Sequence, residues 1–216
     1  MKTLKQQQLS GSIRYRQADP LPVMEQFYTL QGEGAWTGTP AYFVRLAGCD
    51  VGCVWCDVKD SWTPSAEQYQ SAQAIAEQAV QSGAERVVIT GGEPTVYELT
   101  ILTDTLHQAG LLVHMETAGP HALSGAIDWV CFSPKKFLPP QAEFYQQAHE
   151  LKVVIYHETD LAWAEAHAAR CADHVQCFLQ PEWSRRERIT PLLIEHVKQH
   201  PHWRLSLQTH KFIDIR

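Results

Sequence analysis

Seven short apolar runs, most of them separated by amphipathic stretches, constrain this chain more than any other feature of its sequence. The runs are Ala41 to Leu46, Arg86 to Ile89, Leu111 to Met115, Asp128 to Phe132, Leu151 to Tyr156, Val175 to Leu179 and Arg204 to Leu207. Their shortness and their Val, Ile, Leu and Phe content fit buried strands. Between them, Ser65 and Gln68 form a capping-box pattern, with Tyr69, Ala72, Ala76 and Ala79 on one apolar face and Gly83 as a stop. Helical patterns also run from about Val96 to Gln108 and from about Thr159 to Ala172. In the last helix, Thr190 and Pro191 suit the N-cap and first helical position, and Pro201 ends the pattern. Strand alternating with helix implies parallel strands joined by right-handed crossovers. An incomplete α/β barrel and a doubly wound open sheet both satisfy that pattern.

At 216 residues the chain is long enough to bury a full-sized core and short enough for one domain. Hydrophobic residues make up 44% and charged residues 19%, which excludes a wholly disordered chain. Lys and Arg total 18 against 24 Asp and Glu, a net charge of −6, so no nucleic-acid partner is expected. No stretch approaches about 20 consecutive apolar residues, so no membrane span is expected. The opening Met1 to Gln8 lacks the apolar centre of a secretory signal, and a reducing cytoplasm is the expected location. There, six cysteines read as thiols or metal ligands rather than disulfides. Residues 1–22, ending in Asp19-Pro20-Leu21-Pro22, read as a loosely held arm, leaving 23–216 as the single domain.

Small polar segments follow six of the runs directly. They are Gly48 to Cys56, Thr90-Gly91-Gly92-Glu93-Pro94, Glu116 to Gly119, Ser133 to Lys136, Gln180 to Trp183 and Gln208 to Lys211. Strand ends of a parallel sheet or barrel share one face, so these segments converge on one ligand cavity. The most specific signal is C-x3-C-x2-C at Cys49, Cys53 and Cys56, where three thiolates lie within eight residues. Structural zinc normally takes four ligands, whereas three cysteines suit a 4Fe–4S cluster with one iron left open. Cys131, Cys171 and Cys177 stand alone and read as small buried hydrophobes.

A cysteine loop of this spacing after the first strand, with a later Gly-Gly-Glu-Pro, resembles the radical S-adenosylmethionine superfamily. Within it, the chain resembles the 7-carboxy-7-deazaguanine synthase family of the queuosine pathway, in its enterobacterial form. That resemblance starts at about Met24 and rests on Tyr28 to Gly34, Phe43 to Leu46, the cysteine loop through Trp62, and Val88 to Pro94. It continues through Ser133-Pro134-Lys135, Gln180-Pro181 and Trp203 to Lys211. It implies an α/β fold, a partial TIM-like barrel of about six core parallel strands, and a homodimer. The implied reaction turns 6-carboxy-5,6,7,8-tetrahydropterin into 7-carboxy-7-deazaguanine with loss of ammonia. A 5′-deoxyadenosyl radical from S-adenosylmethionine would drive it, with electrons from a flavodoxin-type donor.

By the same resemblance Trp55, Cys56, Asp57, Gly92, Glu116, Ser133, Pro134, Lys135, Gln180, Pro181, Glu182 and Trp183 line the S-adenosylmethionine site. Leu30, Gln31, Gly32, Arg45 and Thr90 match substrate contacts, with Glu33 and His210 as companions. A carboxylate accepts two hydrogen bonds from a guanidine-like edge, which suits Glu33 to a pterin; the sequence does not divide the substrate carboxylate between Arg45 and His210. One departure stands out. Many family members carry Thr after the Cys-Asp of the loop, where its oxygen helps to bind magnesium, and this chain has Val58. Magnesium prefers oxygen ligands, so weak or dispensable dependence is expected. Two other readings remain open: a related activase that makes a glycyl radical on a partner protein, and a non-catalytic zinc or iron–sulfur module. Cofactor cleavage accelerated by the pterin separates the first; metal content and cofactor cleavage separate the second.

Overall fold

The computed structural model describes residues 18–216. Most of the expected arm, residues 1–17, lies outside the described residues, and its last two residues, Leu21 and Pro22, belong to the folded domain. Leu21 is fully buried and Pro22 is paired in a strand. The strands are β1 (Leu21–Leu30), β2 (Pro40–Leu46), β3 (Tyr69–Gln70), β4 (Arg86–Gly91), β5 (Leu112–Thr117), β6 (Trp129–Phe132), β7 (Glu150–Ile155), β8 (Gln176–Pro181) and β9 (Trp203–Leu205). The helices are α1 (Ala72–Gln81), α2 (Thr100–Gln108), α3 (Phe144–Gln147), α4 (Asp160–Ala168), α5 (Arg186–Gln199) and α6 (Thr209–Phe212). No helix among the described residues is long and apolar enough to cross a membrane.

All nine strands form one sheet in the order β3-β1-β2-β4-β5-β6-β7-β8-β9. From β2 to β9 every pairing is parallel, while β1 runs antiparallel to β2 and β3. Laid flat, β1 and β9 would stand roughly 34 Å apart at about 4.8 Å per strand. Yet Ser206 Oγ, just past β9, is 2.9 Å from the Gly34 amide just past β1. The sheet is therefore curled into a partial barrel, and the open-sheet alternative falls. Seven strands share the parallel run, the seventh being the three-residue β9.

A period of two divides each strand between two environments. Val44, Leu46, Val87, Ile89, Val113, Val130, Leu151, Val153 and Leu179 belong to two apolar clusters packed with the helices. Their alternates, among them Arg45, Thr90, Glu116, Lys152, Val154 and Gln180, line the barrel cavity. Because β1 is antiparallel, its loop to β2 leaves from the amino-terminal end of the parallel strands and folds inward. Trp36 in that loop stacks on Arg86 (4.3 Å to the ring centre) and meets Trp129 edge-on, the first residues of β4 and β6. That loop closes the floor of the barrel.

Several local expectations are corrected. The Ser65–Gln68 capping box is present, but it caps a 3-10 turn at Ala66–Gln68; Tyr69 then extends to pair with Pro22. The helix starts instead from Ser71, whose Oγ accepts from the Ala74 amide. Val96 closes a 3-10 turn at Pro94–Val96, and the helix follows from Thr100. The stretch expected to run to Ala172 ends at Ala168. Pro191 lies inside α5, because the chain is already helical from Arg186. At that position its missing N–H forgoes one intrahelical bond.

Candidate active site

A cavity of about 380 Å³ opens where the polar segments after the strands converge, a size ordinary for a small-molecule site. The cysteine loop forms one wall and the loop after β1 the floor. Docking of the cysteine loop depends on two glycines. Gly91 has φ +136°, and a Cβ there would collide with the Leu46 backbone; a Cβ on Gly92 would collide with the Gly48 carbonyl. Close approach lets the Gly92 amide bond Leu46 O and the Glu93 amide bond Gly48 O, each at 2.8 Å. Glu93 is buried and serves as a staple. Its carboxylate accepts from Thr95, from the Thr117 hydroxyl and from the Ala118 amide, tying the ends of β4 and β5 together.

Cys49, Cys53 and Cys56 all border the cavity and pack with Val51, Ala118 and Leu138. Burial raises the Cys49 thiol to about 11 and the Cys53 thiol above its ordinary value, so each favours its neutral form until a metal takes the proton's place. Among the described residues, three ligand atoms within 4.8 Å of one another occur only at Glu165, His196 and His200. The three sulfurs are therefore spread more widely than the about 3.8 Å edge of a four-coordinate zinc–thiolate site. Three spaced thiols in an apolar pocket fit a multi-iron cluster better than a single ion.

Across the cavity, Lys152 of β7 is the centre of a charged cluster. Its side chain is 2% exposed, and Nζ lies 2.5 Å from Glu33 Oε2 and 2.7 Å from Glu116 Oε2. Gln31 Nε2 donates to Glu116 Oε1 (2.9 Å) and Gln208 Nε2 to Glu33 Oε1 (2.8 Å). Burial opposes the charge on Glu33, but the Lys152 ammonium and hydrogen bonds from Lys152, Gln208 and Gln180 bring its pKa down to about 2. Burial likewise opposes the charge on Lys152, while Cys131, Glu116, Glu33 and Glu150 hold its pKa well above the usual range. His210 packs on the Gly32 backbone so closely that a Cβ there would collide with its ring, and burial lowers its pKa. Arg45 pairs with Glu25 at 2.7 Å.

Of the residues expected at the two ligand sites, all but Pro134 line the cavity: Leu30, Gln31, Gly32, Glu33, Arg45, Thr90 and His210, and Trp55, Cys56, Asp57, Gly92, Glu116, Ser133, Lys135, Gln180, Pro181, Glu182 and Trp183. Pro134 only links Ser133 to Lys135, whose ammonium turns back onto Ser133 O and Oγ. Asp57 pairs with Lys211 at 2.8 Å. Val58 borders the cavity, and its carbonyl already accepts from the Ser61 amide and hydroxyl. Sequence reasoning missed Lys152 and placed Gln208 in a cavity segment without giving it a role. Lys152 carried a signal, as a cation between Leu151 and Val153 in an otherwise apolar strand. Cys131 and Cys177 are buried as expected, and Cys171 is partly so.

Comparison with known proteins agrees with this geometry. The Radical SAM superfamily profile matches residues 44–146. A 7-carboxy-7-deazaguanine synthase of Flavobacterium psychrophilum is 48% identical over 203 residues, covering 94% of this chain and 96% of that protein. Its counterpart in Synechocystis is 44% identical over 195 residues, covering 90% and 93%. The crystal structure of QueE from Escherichia coli superposes with a TM-score of 0.80 at 34% identity, covering 88% of this chain and 94% of that one. Identity to the Flavobacterium protein thus exceeds identity to the Escherichia coli protein, and the enterobacterial subdivision is not favoured.

Proposed function

This chain belongs to the 7-carboxy-7-deazaguanine synthase family, radical S-adenosylmethionine lyases of 7-deazapurine and queuosine biosynthesis, and on that premise we propose which of its residues carry the reaction. The substrate is 6-carboxy-5,6,7,8-tetrahydropterin and the products are 7-carboxy-7-deazaguanine and ammonia. One observation carries the reading: the three cysteines and the Glu33–Lys152–Glu116 centre border the same cavity.

Cys49, Cys53 and Cys56 hold the 4Fe–4S cluster, and Trp55 to Asp57, Gly92, Glu116, Ser133, Lys135 and Gln180 to Trp183 surround S-adenosylmethionine. When bound, these two groups supply the one-electron chemistry that starts the ring contraction. The chain's own work is recognition and protonation control. Glu33 stays ionised, and its two oxygens retain lone pairs for the guanidine-like edge of the pterin beside Lys152 and Gln208. Arg45, whose guanidinium fork matches a carboxylate, takes the substrate carboxylate, with Thr90 beside it in register on β4. Burial favours the neutral ring of His210, which makes it a hydrogen-bonding partner rather than the cation for that carboxylate. Lys152 Nζ keeps its proton, holds Glu33 in its accepting form and donates to Glu116.

Magnesium dependence is weak or dispensable in this reading. Val58 offers no side-chain oxygen, its carbonyl is engaged by Ser61, and Asp57 is engaged by Lys211. Installing the oxygen with Val58→Thr sharpens the response of turnover to magnesium; an unchanged response refutes this account. An electron donor such as a flavodoxin-type protein and a homodimer rest on the family resemblance, and symmetric pairs are the commonest assemblies.

The deciding experiment is anaerobic turnover of the reconstituted protein with a reductant, S-adenosylmethionine and 6-carboxytetrahydropterin, followed by mass spectrometry. 7-Carboxy-7-deazaguanine in large excess over consumed cofactor establishes the reaction. Cofactor cleavage with the pterin intact removes the substrate assignment.

A further inference from the structure

At the end of the barrel opposite the cysteine loop, Glu165 on α4 and His196 on α5 approach His200, which caps α5 at its carboxyl end. One ligand atom from each lies within 4.8 Å of the others. We propose that Glu165, His196 and His200 bind one divalent transition-metal cation of the zinc class, with His202 beside them, apart from the catalytic cavity.

Two of the three ligands are already oriented by a second contact. His200 Nδ1 lies 2.9 Å from the His196 carbonyl oxygen, so Nδ1 carries the hydrogen and the Nε2 lone pair is free to face a metal. That backbone hydrogen bond is the usual partner of a metal-binding imidazole. Trp203 Nε1 donates to Glu165 Oε1 at 2.8 Å and fixes the carboxylate. His202 Nε2 stands 3.4 Å from Glu165 Oε2. His196 and His200 are one helical turn apart with stacked rings, centroids 4.0 Å apart. His196 Nε2 now faces Glu165 Oε1 at 2.7 Å. A cation replaces any proton held there, so binding weakens as pH falls. Three protein ligands and one water complete a four-coordinate site. The carboxyl end of α5 adds a favourable helix dipole.

Such an ion braces α4, α5 and the turn into β9, and β9 leads directly to Gln208 and His210 in the cavity. Its role is to hold this edge of the barrel.

The test uses protein with its cluster loaded, so that the cysteines are occupied. Equilibrium dialysis against low-micromolar Zn²⁺ is followed by metal analysis for zinc and iron and by sulfide determination. One zinc per chain is expected, with iron unchanged and the unfolding midpoint raised. His196→Gln/His200→Gln and, separately, Glu165→Gln, which keeps an acceptor for Trp203, should each weaken zinc binding by more than about 10-fold. Absence of zinc in the parent protein, zinc retained undiminished in both variants, or zinc gained only as iron is lost overturns the proposal.

Discussion

Replacing Lys152 by methionine tests the electrostatic account of the cavity most directly. Methionine fills a similar volume and removes only the ammonium. Left behind are Glu33 and Glu116, both held by that ammonium within 2.7 Å, with Glu150 nearby. Removing one partner of a buried ion pair typically costs about 3–5 kcal/mol. A second route gives a similar figure. Without Lys152, Glu33 returns from about 2 to at least its ordinary 4.5. That is about 2.5 pKa units, or roughly 3 kcal/mol. At about 2–4 °C per kcal/mol for a chain of this size, the melting midpoint falls by roughly 6–12 °C. The assay is anaerobic denaturant and thermal unfolding of parent, Lys152→Met, Glu33→Gln and Lys152→Met/Glu33→Gln. Glu33→Gln leaves a one-to-one Lys152–Glu116 pair and should cost less than Lys152→Met. The double variant should recover part of the loss. A Lys152→Met variant within about 1 kcal/mol of the parent, or a double variant worse than both singles added, would refute the reasoning.

Three further outcomes follow from the geometry. Changing Cys49, Cys53 or Cys56 to alanine removes the brown colour and most bound iron, while the same change at Cys131, Cys171 or Cys177 keeps iron, as metal analysis reports. Gly91→Ala, at φ +136° against the Leu46 backbone, lowers both stability and iron incorporation, because the cysteine loop no longer docks; normal iron content would contradict that role. Acid weakens the fold well above the carboxylate range. Burial lowers His114 and His167 to about 4, so below about pH 6.5 the unfolded chain takes up protons that these rings refuse. Stability is thus lost as pH falls from 6.5 toward 4, by up to about 1.4 kcal/mol per pH unit for each ring, and His114→Phe should flatten that slope in pH-dependent denaturant unfolding.

The seven parallel strands were legible because each is a short apolar run with a polar stop, a signal that survives without neighbours. β1 was not. Leu21 to Leu30 mixes Pro22, Glu25 and Gln26 with its apolar residues, since this antiparallel strand, flanked on one side only by the two-residue β3, has only part of its surface buried. The α1 start was misread because two serines six residues apart both cap, and only pairing of Tyr69 with Pro22 selects the later one for the helix. Within the site, motif residues were readable by type and spacing. Lys152 and Gln208 were not singled out, because their importance comes from what lies across the barrel. A lysine in a strand declares its role only when two carboxylates from other elements are seen to face it.

The alternation that sends Val87, Ile89, Leu151 and Val153 outward and Thr90, Lys152 and Gln180 inward also governs how the protein tolerates change. Neighbouring codons answer to different pressures: one to how much protein survives in the cell, the next to how fast each surviving molecule turns over. A saturation scan read for abundance and for product separately would trace two interleaved combs along β4 to β8, offset by one residue. Lys152, neutralising carboxylates while filling the barrel, is the tooth that belongs to both.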